Sequence, residues 1–210
     1  VKSFTRAVVS AAGAFAVAAI AVAAPAQASA VSPSSPGLRG TDAAGNAVTV
    51  TEVAGTGERQ AMAAPVGGNI VNVNSGRCLD VANAQVGNGV PIQQWDCLGS
   101  GQKNQIWWFA NETHIGEYYW YNVVTTLDGQ CLDVTGGSGA TGNGVPVQQW
   151  NCLTGQTNQQ WRLEIVGYGI RLIARHSGKC LDVVNASKAN GARLQQWSCL
   201  GTANQAWDLY

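Results

Sequence analysis

Residues 75–81 read SGRCLDV, residues 128–134 read DGQCLDV, and residues 177–183 read SGKCLDV. One seven-residue phrase returns three times, each copy carrying one Cys and one Asp. Other pieces recur around it in fixed order. A hydrophobic opening precedes each copy: NIVNV at 69–73, NVVTT at 122–126 and IRLIA at 170–174. A Gly/Asn-rich loop follows, then PIQQWDC (91–97), PVQQWNC (146–152) and RLQQWSC (193–199). Each unit closes with NQIW (104–107), NQQW (158–161) or NQAW (204–207). The units span about 69–121, 122–169 and 170–210.

Ser-Gly and Asp-Gly between extended segments read as hairpin turns, because Gly accepts positive φ. Short β-rich runs between such turns give about four strands per unit, and no stretch sustains a helical period. A unit of this length cannot bury its apolar face alone, so three must share one core. Three four-stranded units around a pseudo-threefold axis predict an all-β protein, a β-trefoil. A three-bladed propeller is the alternative, but propellers typically need at least four blades.

The six Cys fall as Cys78 and Cys97, Cys131 and Cys152, and Cys180 and Cys199. An even count in an exported chain implies disulfides, and six cysteines allow fifteen pairings. The repeat selects one bridge within each unit, since each unit holds two Cys at matching places. Closing a loop of this size contributes about 3 kcal/mol in the chain-entropy model. Zinc is the competing reading, but there is no CxxC pair, and the only histidines are His114 and His176.

Residues 1–30 have the layout of a secretory signal peptide: Lys2 and Arg6, an Ala/Val-rich run, then the A-x-A sites at 26–28 and 28–30. A membrane anchor is the rival reading, since the run is near spanning length. Val1 fits an alternative bacterial start codon. Residues 31–66 are rich in Ala, Gly, Pro and Ser and read as a flexible linker or propeptide-like leader, with one short strand possible in NAVTVTEV (46–53). Residues 67–210 form the folded domain. Of the 12 basic residues, two lie in the signal segment, leaving ten against 12 acidic ones. That balance argues against nucleic acid or an anionic membrane surface as partner.

The three Cys-Leu-Asp-Val segments and three Gln-x-Trp closings resemble the ricin B-type lectin domain, also described as family 13 carbohydrate-binding modules, in its secreted bacterial, actinomycete-like form. The resemblance covers about 67–210. It implies a β-trefoil, one disulfide inside each repeat and up to three shallow sugar sites; no cofactor is expected.

A pyranose has an apolar C–H face and an equator of hydroxyls. A site for it needs a flat aromatic surface and fixed polar partners. Ionised Asp accepts strong charge-assisted bonds, while Asn and Gln amides both donate and accept. The first unit offers Asp80, Gln93, Trp95, Asn104 and Gln105, with Gln105 bracing Asp80 or Asn104. The second offers Asp133, Gln148, Trp150, Asn158 and Gln159. The third offers Asp182, Gln195, Trp197, Asn204 and Gln205. By resemblance these are the ligand-binding positions of the family, intact in all three units, and Trp107 is a core Trp. The competing reading has the Asp satisfying turn amides and the Trp and Asn-Gln pairs serving the core. Read as surface acids, the three Asp contribute little to stability.

Two features depart from the family pattern. Gln94, Gln149 and Gln196 point inward where relatives commonly carry an aliphatic residue, which predicts a repeated internal hydrogen-bond layer. The second loop, 135–144, is two residues longer than its counterparts. The first unit also carries EYYWYN (117–122), which predicts an extended hairpin with some exposed aromatic surface. Glycosidase chemistry needs two facing carboxylates, whereas the repeat Asp are dispersed one per unit. The expectation is a secreted, extracellular, monomeric and non-catalytic carbohydrate-binding protein. It would bind galactose-type or xylan-type glycans multivalently, without inserting into membranes. A protein-binding or inhibitor-like trefoil, or a module related to a polysaccharide-degrading enzyme, is the alternative.

Overall fold

Each CLDV segment follows a tight reversal whose Gly has positive φ: +68° at Gly76, +76° at Gly129 and +66° at Gly178. The chain therefore turns back on the preceding hydrophobic run and pairs with it. The computed structural model describes residues 67–210 and two short strands before them, β1 (Arg39–Thr41) and β2 (Ala47–Thr49). β1 and β2 pair antiparallel, so the strand expected within 46–53 has a partner. The signal peptide and the remainder of the leader lie outside the described residues.

The first unit contributes β3 (Gly68–Asn72), β4 (Cys78–Val81), β5 (Val90–Trp95) and β6 (Ile106–Ile115). The second contributes β7 (Tyr118–Thr125), β8 (Cys131–Val134), β9 (Val145–Trp150) and β10 (Gln160–Val166). The third contributes β11 (Gly169–Ala174), β12 (Cys180–Val183), β13 (Leu194–Trp197) and β14 (Trp207–Leu209). First and last strands of the units pair in a closed circuit, β3–β6–β7–β10–β11–β14 and back to β3. That is a six-stranded barrel, and closure leaves it no free edge. Asn69 and Tyr210 complete it by exchanging backbone hydrogen bonds of 2.8 and 3.0 Å. The middle strands form three hairpins, β4–β5, β8–β9 and β12–β13, whose third strands meet one another. This is the β-trefoil.

Strand alternation sorts CLDV into two faces. Leu79 and Val81, and their counterparts in the other units, enter the core, while Cys and Asp take the opposite face. Trp107, Trp161 and Trp207 are fully buried, and each indole N–H donates to the carbonyl of Leu79, Leu132 or Leu181. The disulfides are Cys78–Cys97, Cys131–Cys152 and Cys180–Cys199, one per unit.

Gln94, Gln149 and Gln196 are fully buried and do form a repeated hydrogen-bond layer, and the layer runs between units. Gln94 Nε2 donates to Ser187 O and Ala189 O of the third unit's loop at 2.9 and 3.0 Å. Gln149 Nε2 reaches Gln85 O and Gly87 O of the first loop, and Gln196 Nε2 reaches Ala140 O and Gly142 O of the second. Each unit thus grips the loop of another, cyclically. Ser75 and Ser177 donate to Oε1 of Gln94 and Gln196 at 2.7 Å. The second unit has Asp128 in that turn, where an acceptor replaces the donor, and Gln149 Oε1 is left without a partner.

The aromatic run 118–122 belongs to β7. The junction of the first two units therefore falls at the 116–117 turn, which corrects the boundary after Tyr121. Tyr118, Tyr119 and Trp120 pair in register with Ile115, His114 and Thr113, so the hairpin is prolonged on both strands. Trp120 and Tyr121 are buried; Tyr118 and Tyr119 are half-buried, with Arg162 stacked 4.5 Å over the Tyr118 ring.

Truncating Trp107 to Ala should cost about 3–5 kcal/mol, as large aromatic-to-Ala changes in cores do. Gln94→Ala should cost about 1–3 kcal/mol, because the part-buried bonds to Ser187 O and Ala189 O lose their donor. Urea unfolding of both variants measures these losses.

Candidate functional site

The pairing of β4 with β5 sets Asp80 opposite Gln93, and the same register sets Asp133 opposite Gln148 and Asp182 opposite Gln195. Gln93 Nε2 donates to Asp80 Oδ1 at 2.9 Å. A 3₁₀ turn at Lys103–Gln105 brings two more amides to the same carboxylate. Asn104 Nδ2 and Gln105 Nε2 donate to Asp80 Oδ2 at 2.7 and 2.9 Å. Asp133 receives the same three bonds from Gln148, Asn158 and Gln159 at 2.9, 2.7 and 3.0 Å. Asp182 receives them from Gln195, Asn204 and Gln205 at 2.9, 2.8 and 2.9 Å.

The three carboxylates are 3–4% exposed. Surface acids were expected, and burial in a shell of amides corrects that reading. The donors come mainly from 13–26 residues downstream, not from the adjacent turn. Gln105 is fully enclosed: its Nε2 also donates to Asp96 O, and its Oε1 accepts from Leu98 N. Gln159 and Gln205 repeat this with Asn151 O and Leu153 N, and with Ser198 O and Leu200 N. These three glutamines are braces.

Other polar capacity faces outward. A carboxylate offers about four acceptor positions, and each Asp uses three. Among the described residues, the Oε1 atoms of Gln93, Gln148 and Gln195 and the Oδ1 atoms of Asn104 and Asn204 accept no hydrogen bond. Beside them stand Trp95, 38% exposed, Trp150, 36% exposed, and the half-buried Trp197.

A loop of another unit lies against each Trp. A Cβ added to Gly191 would lie 3.7 Å from the Trp95 ring; at Gly89 it would lie 3.8 Å from Trp150, and at Gly144 3.7 Å from Trp197. All three glycines have φ near +80°. The preceding Asn caps the strand beyond the Trp: Asn190 Oδ1 accepts from Asp96 N, Asn88 Oδ1 from Asn151 N and Asn143 Oδ1 from Ser198 N, at 2.9, 2.8 and 3.0 Å. Sequence reasoning missed these six residues. Their signal was an Asn-Gly pair repeated in all three loops, at 88–89, 143–144 and 190–191.

The second site differs. Its longer loop brings Ser138 Oγ to 3.5 Å from Asn158 Oδ1, and Thr157 donates to Ser138 at 2.9 Å. Asn158 is 2% exposed, against 7 and 8% for Asn104 and Asn204. His176 leans on the same loop through Ala140 O at 3.2 Å, and burial lowers its pKa. Among the described residues, no three His, Cys, Asp or Glu converge as a metal cluster.

A family profile described as the Ricin-type beta-trefoil lectin domain matches residues 66–207. The chain belongs to this family. Ricin-type domains are lectin domains, and the match places this chain among carbohydrate-binding proteins. A solved structure of the designed threefold-symmetric protein ThreeFoil is 39% identical, with a TM-score of 0.61, over 68% of this chain and 96% of that one. An exo-beta-1,3-galactanase from Clostridium thermocellum is 33% identical with a TM-score of 0.61; the match covers 69% of this chain and 30% of the enzyme. The Rhizoctonia solani agglutinin, 20% identical with a TM-score of 0.58 over 71% of this chain and 96% of its own, shares the fold.

Replacing Asp80 by Ala takes an acceptor from three buried amide side chains, those of Gln93, Asn104 and Gln105. The expected cost is about 1–3 kcal/mol in urea unfolding, smaller than that of Trp107→Ala.

Burial raises the pKa of Asp80 and Asp133, and the amide hydrogen bonds offset it only in part, from Gln93 and Gln105 at Asp80 and from Gln148, Gln159 and Asn158 at Asp133. A folded pKa above the unfolded one means that the fold holds the proton more tightly. These two groups therefore add stability as pH falls through their folded pKa, and they withdraw it as pH rises. Carboxyl-carbon NMR should show both titrating above the usual Asp value of about 3.9.

Proposed function

We propose that the protein is a secreted, non-catalytic lectin in which each unit carries one shallow sugar site. The supporting observation is the threefold recurrence of a Trp at least partly open to solvent beside a buried carboxylate with unused acceptor capacity. The Trp ring takes the C–H face of a pyranose. The remaining lone pair of the Asp and the free amide oxygens of Gln93 and Asn104 accept hydroxyl hydrogens; the third unit repeats these roles, and the second repeats them through Asp133 and Gln148, its Asn158 Oδ1 already facing Ser138 Oγ. Gln105, Gln159 and Gln205 position the carboxylates from behind. The longer second loop narrows the site at Asp133.

The ligand classes are galactose-type and xylan-type glycans. The likeness to an exo-beta-1,3-galactanase makes β-1,3-galactan the first polymer to test. Each site holds one buried carboxylate, and hydrolysis of a glycosidic bond needs two across it, so the sites fit binding. Three disulfides fit an oxidising, extracellular setting.

A shallow site of this kind should bind a monosaccharide with a Kd of about 0.1–1 mM. Once one site engages a polysaccharide, the others meet it at high effective concentration. Calorimetry should therefore show galactan or xylan bound much more tightly than galactose or xylose. Trp95→Ala, Trp150→Ala and Trp197→Ala, added one after another, should lower polymer affinity in steps while the remaining sites keep their monosaccharide affinity. Equal binding of polymer and monosaccharide, or loss of all binding after one substitution, would refute the multivalent reading.

A further inference from the structure

Three leucines stand in solvent at equivalent places: Leu98 is 55% exposed, Leu153 48% and Leu200 64%. A single exposed Leu signals nothing, since much of any protein surface is apolar. These three share a rigid mounting. Each directly follows the second Cys of its unit's disulfide. Each backbone N–H donates to Oε1 of the brace glutamine, at 3.0 Å to Gln105, 2.9 Å to Gln159 and 2.8 Å to Gln205. The other end of that amide holds the site carboxylate. One side-chain amide therefore lies between the leucine main chain and the Asp of its site. The chain that joins Trp95 to Asn104, two members of one site, passes through Leu98.

The segments after these leucines differ. They read GSGQK at 99–103, TGQT at 154–157 and GTA at 201–203. Length and sequence vary, yet the leucine and its anchorage stay. Folding does not require it, because the side chain is in water.

We propose that Leu98, Leu153 and Leu200 each form an apolar subsite for the second ring of an oligosaccharide whose first ring lies on the adjoining Trp. This rests on the sugar-site reading above. The first ring is committed to the Trp face and to the acceptors around the Asp, which take its hydroxyls. A leucine offers no hydrogen bond and can favour only C–H surface. Carried on the segment that joins the Trp to the Asn of one site and tied to its brace glutamine, it is assigned to the neighbouring ring of a linked sugar. Its contribution appears only with ligands longer than one residue, so the protein selects disaccharides over monosaccharides at every site.

The test is calorimetry of the unmodified protein and the triple variant Leu98→Ala, Leu153→Ala, Leu200→Ala. The probes are galactose with β-1,3-galactobiose, and xylose with xylobiose. The unmodified protein should bind one disaccharide about fivefold tighter than its monosaccharide, as burial of part of a Leu side chain implies. The variant should lose that preference and keep its monosaccharide affinity. Because the leucines are exposed, the variant should also keep the unmodified protein's urea midpoint. An unmodified protein without disaccharide preference, or a variant that retains the preference or weakens mono- and disaccharide alike, would overturn the subsite while leaving the sugar sites standing. Failure of the unmodified protein to bind any of the four sugars would overturn the sugar-site reading and the subsite with it.

Discussion

A buried carboxylate that accepts three amide hydrogen bonds is the constraint around which each unit is organised. Burying that charge is unfavourable, and the shell of Gln and Asn donors makes it tolerable. To supply the shell, the CLDV strand must pair with the QQW strand in a single register, and the Asn-Gln turn must return over both. A slip of one residue would carry Asp80 into the core and Leu79 out of it. One polar cluster thus fixes the strand pairing, the path of the return turn and the position of the exposed Trp.

The amide layer of Gln94, Gln149 and Gln196 acts at the next level. Hairpins held only by apolar packing could slide past one another at little cost. A buried amide that must find two carbonyls on another unit's loop allows one arrangement, at the risk of a penalty if a partner is missing. The second unit shows that risk, for Asp128 stands where the other turns carry a Ser donor, and Gln149 keeps an unpaired oxygen.

Much of this was legible in the sequence because it repeats. The threefold CLDV phrase gave the unit, the unit gave the trefoil, and the paired cysteines gave the bridges. The inward face of Gln94 followed from alternation along QQW. What escaped had physical reasons. Asp80 looked like a surface acid because its donors are scattered through the unit, and no local pattern announces burial. The aromatic run at 118–122 looked like a tail of the first unit, since Tyr and Trp suit either end of a hairpin; the register with 113–115 decides for the second. The Asn-Gly pairs were visible, but their partners lie on another unit, as from Asn88 to Asn151, and a repeat read within itself does not reveal what it lends to the next.

Asn69 and Tyr210 lie side by side, joined by two backbone hydrogen bonds. Every unit receives a loop from one neighbour and lends its own to the other, so the trefoil has no first or last member except by the accident of where the chain is cut. It is topologically a ring with a nick. The nick could equally sit at the 116–117 or 167–168 turn, and every loop would still lie against the same Trp.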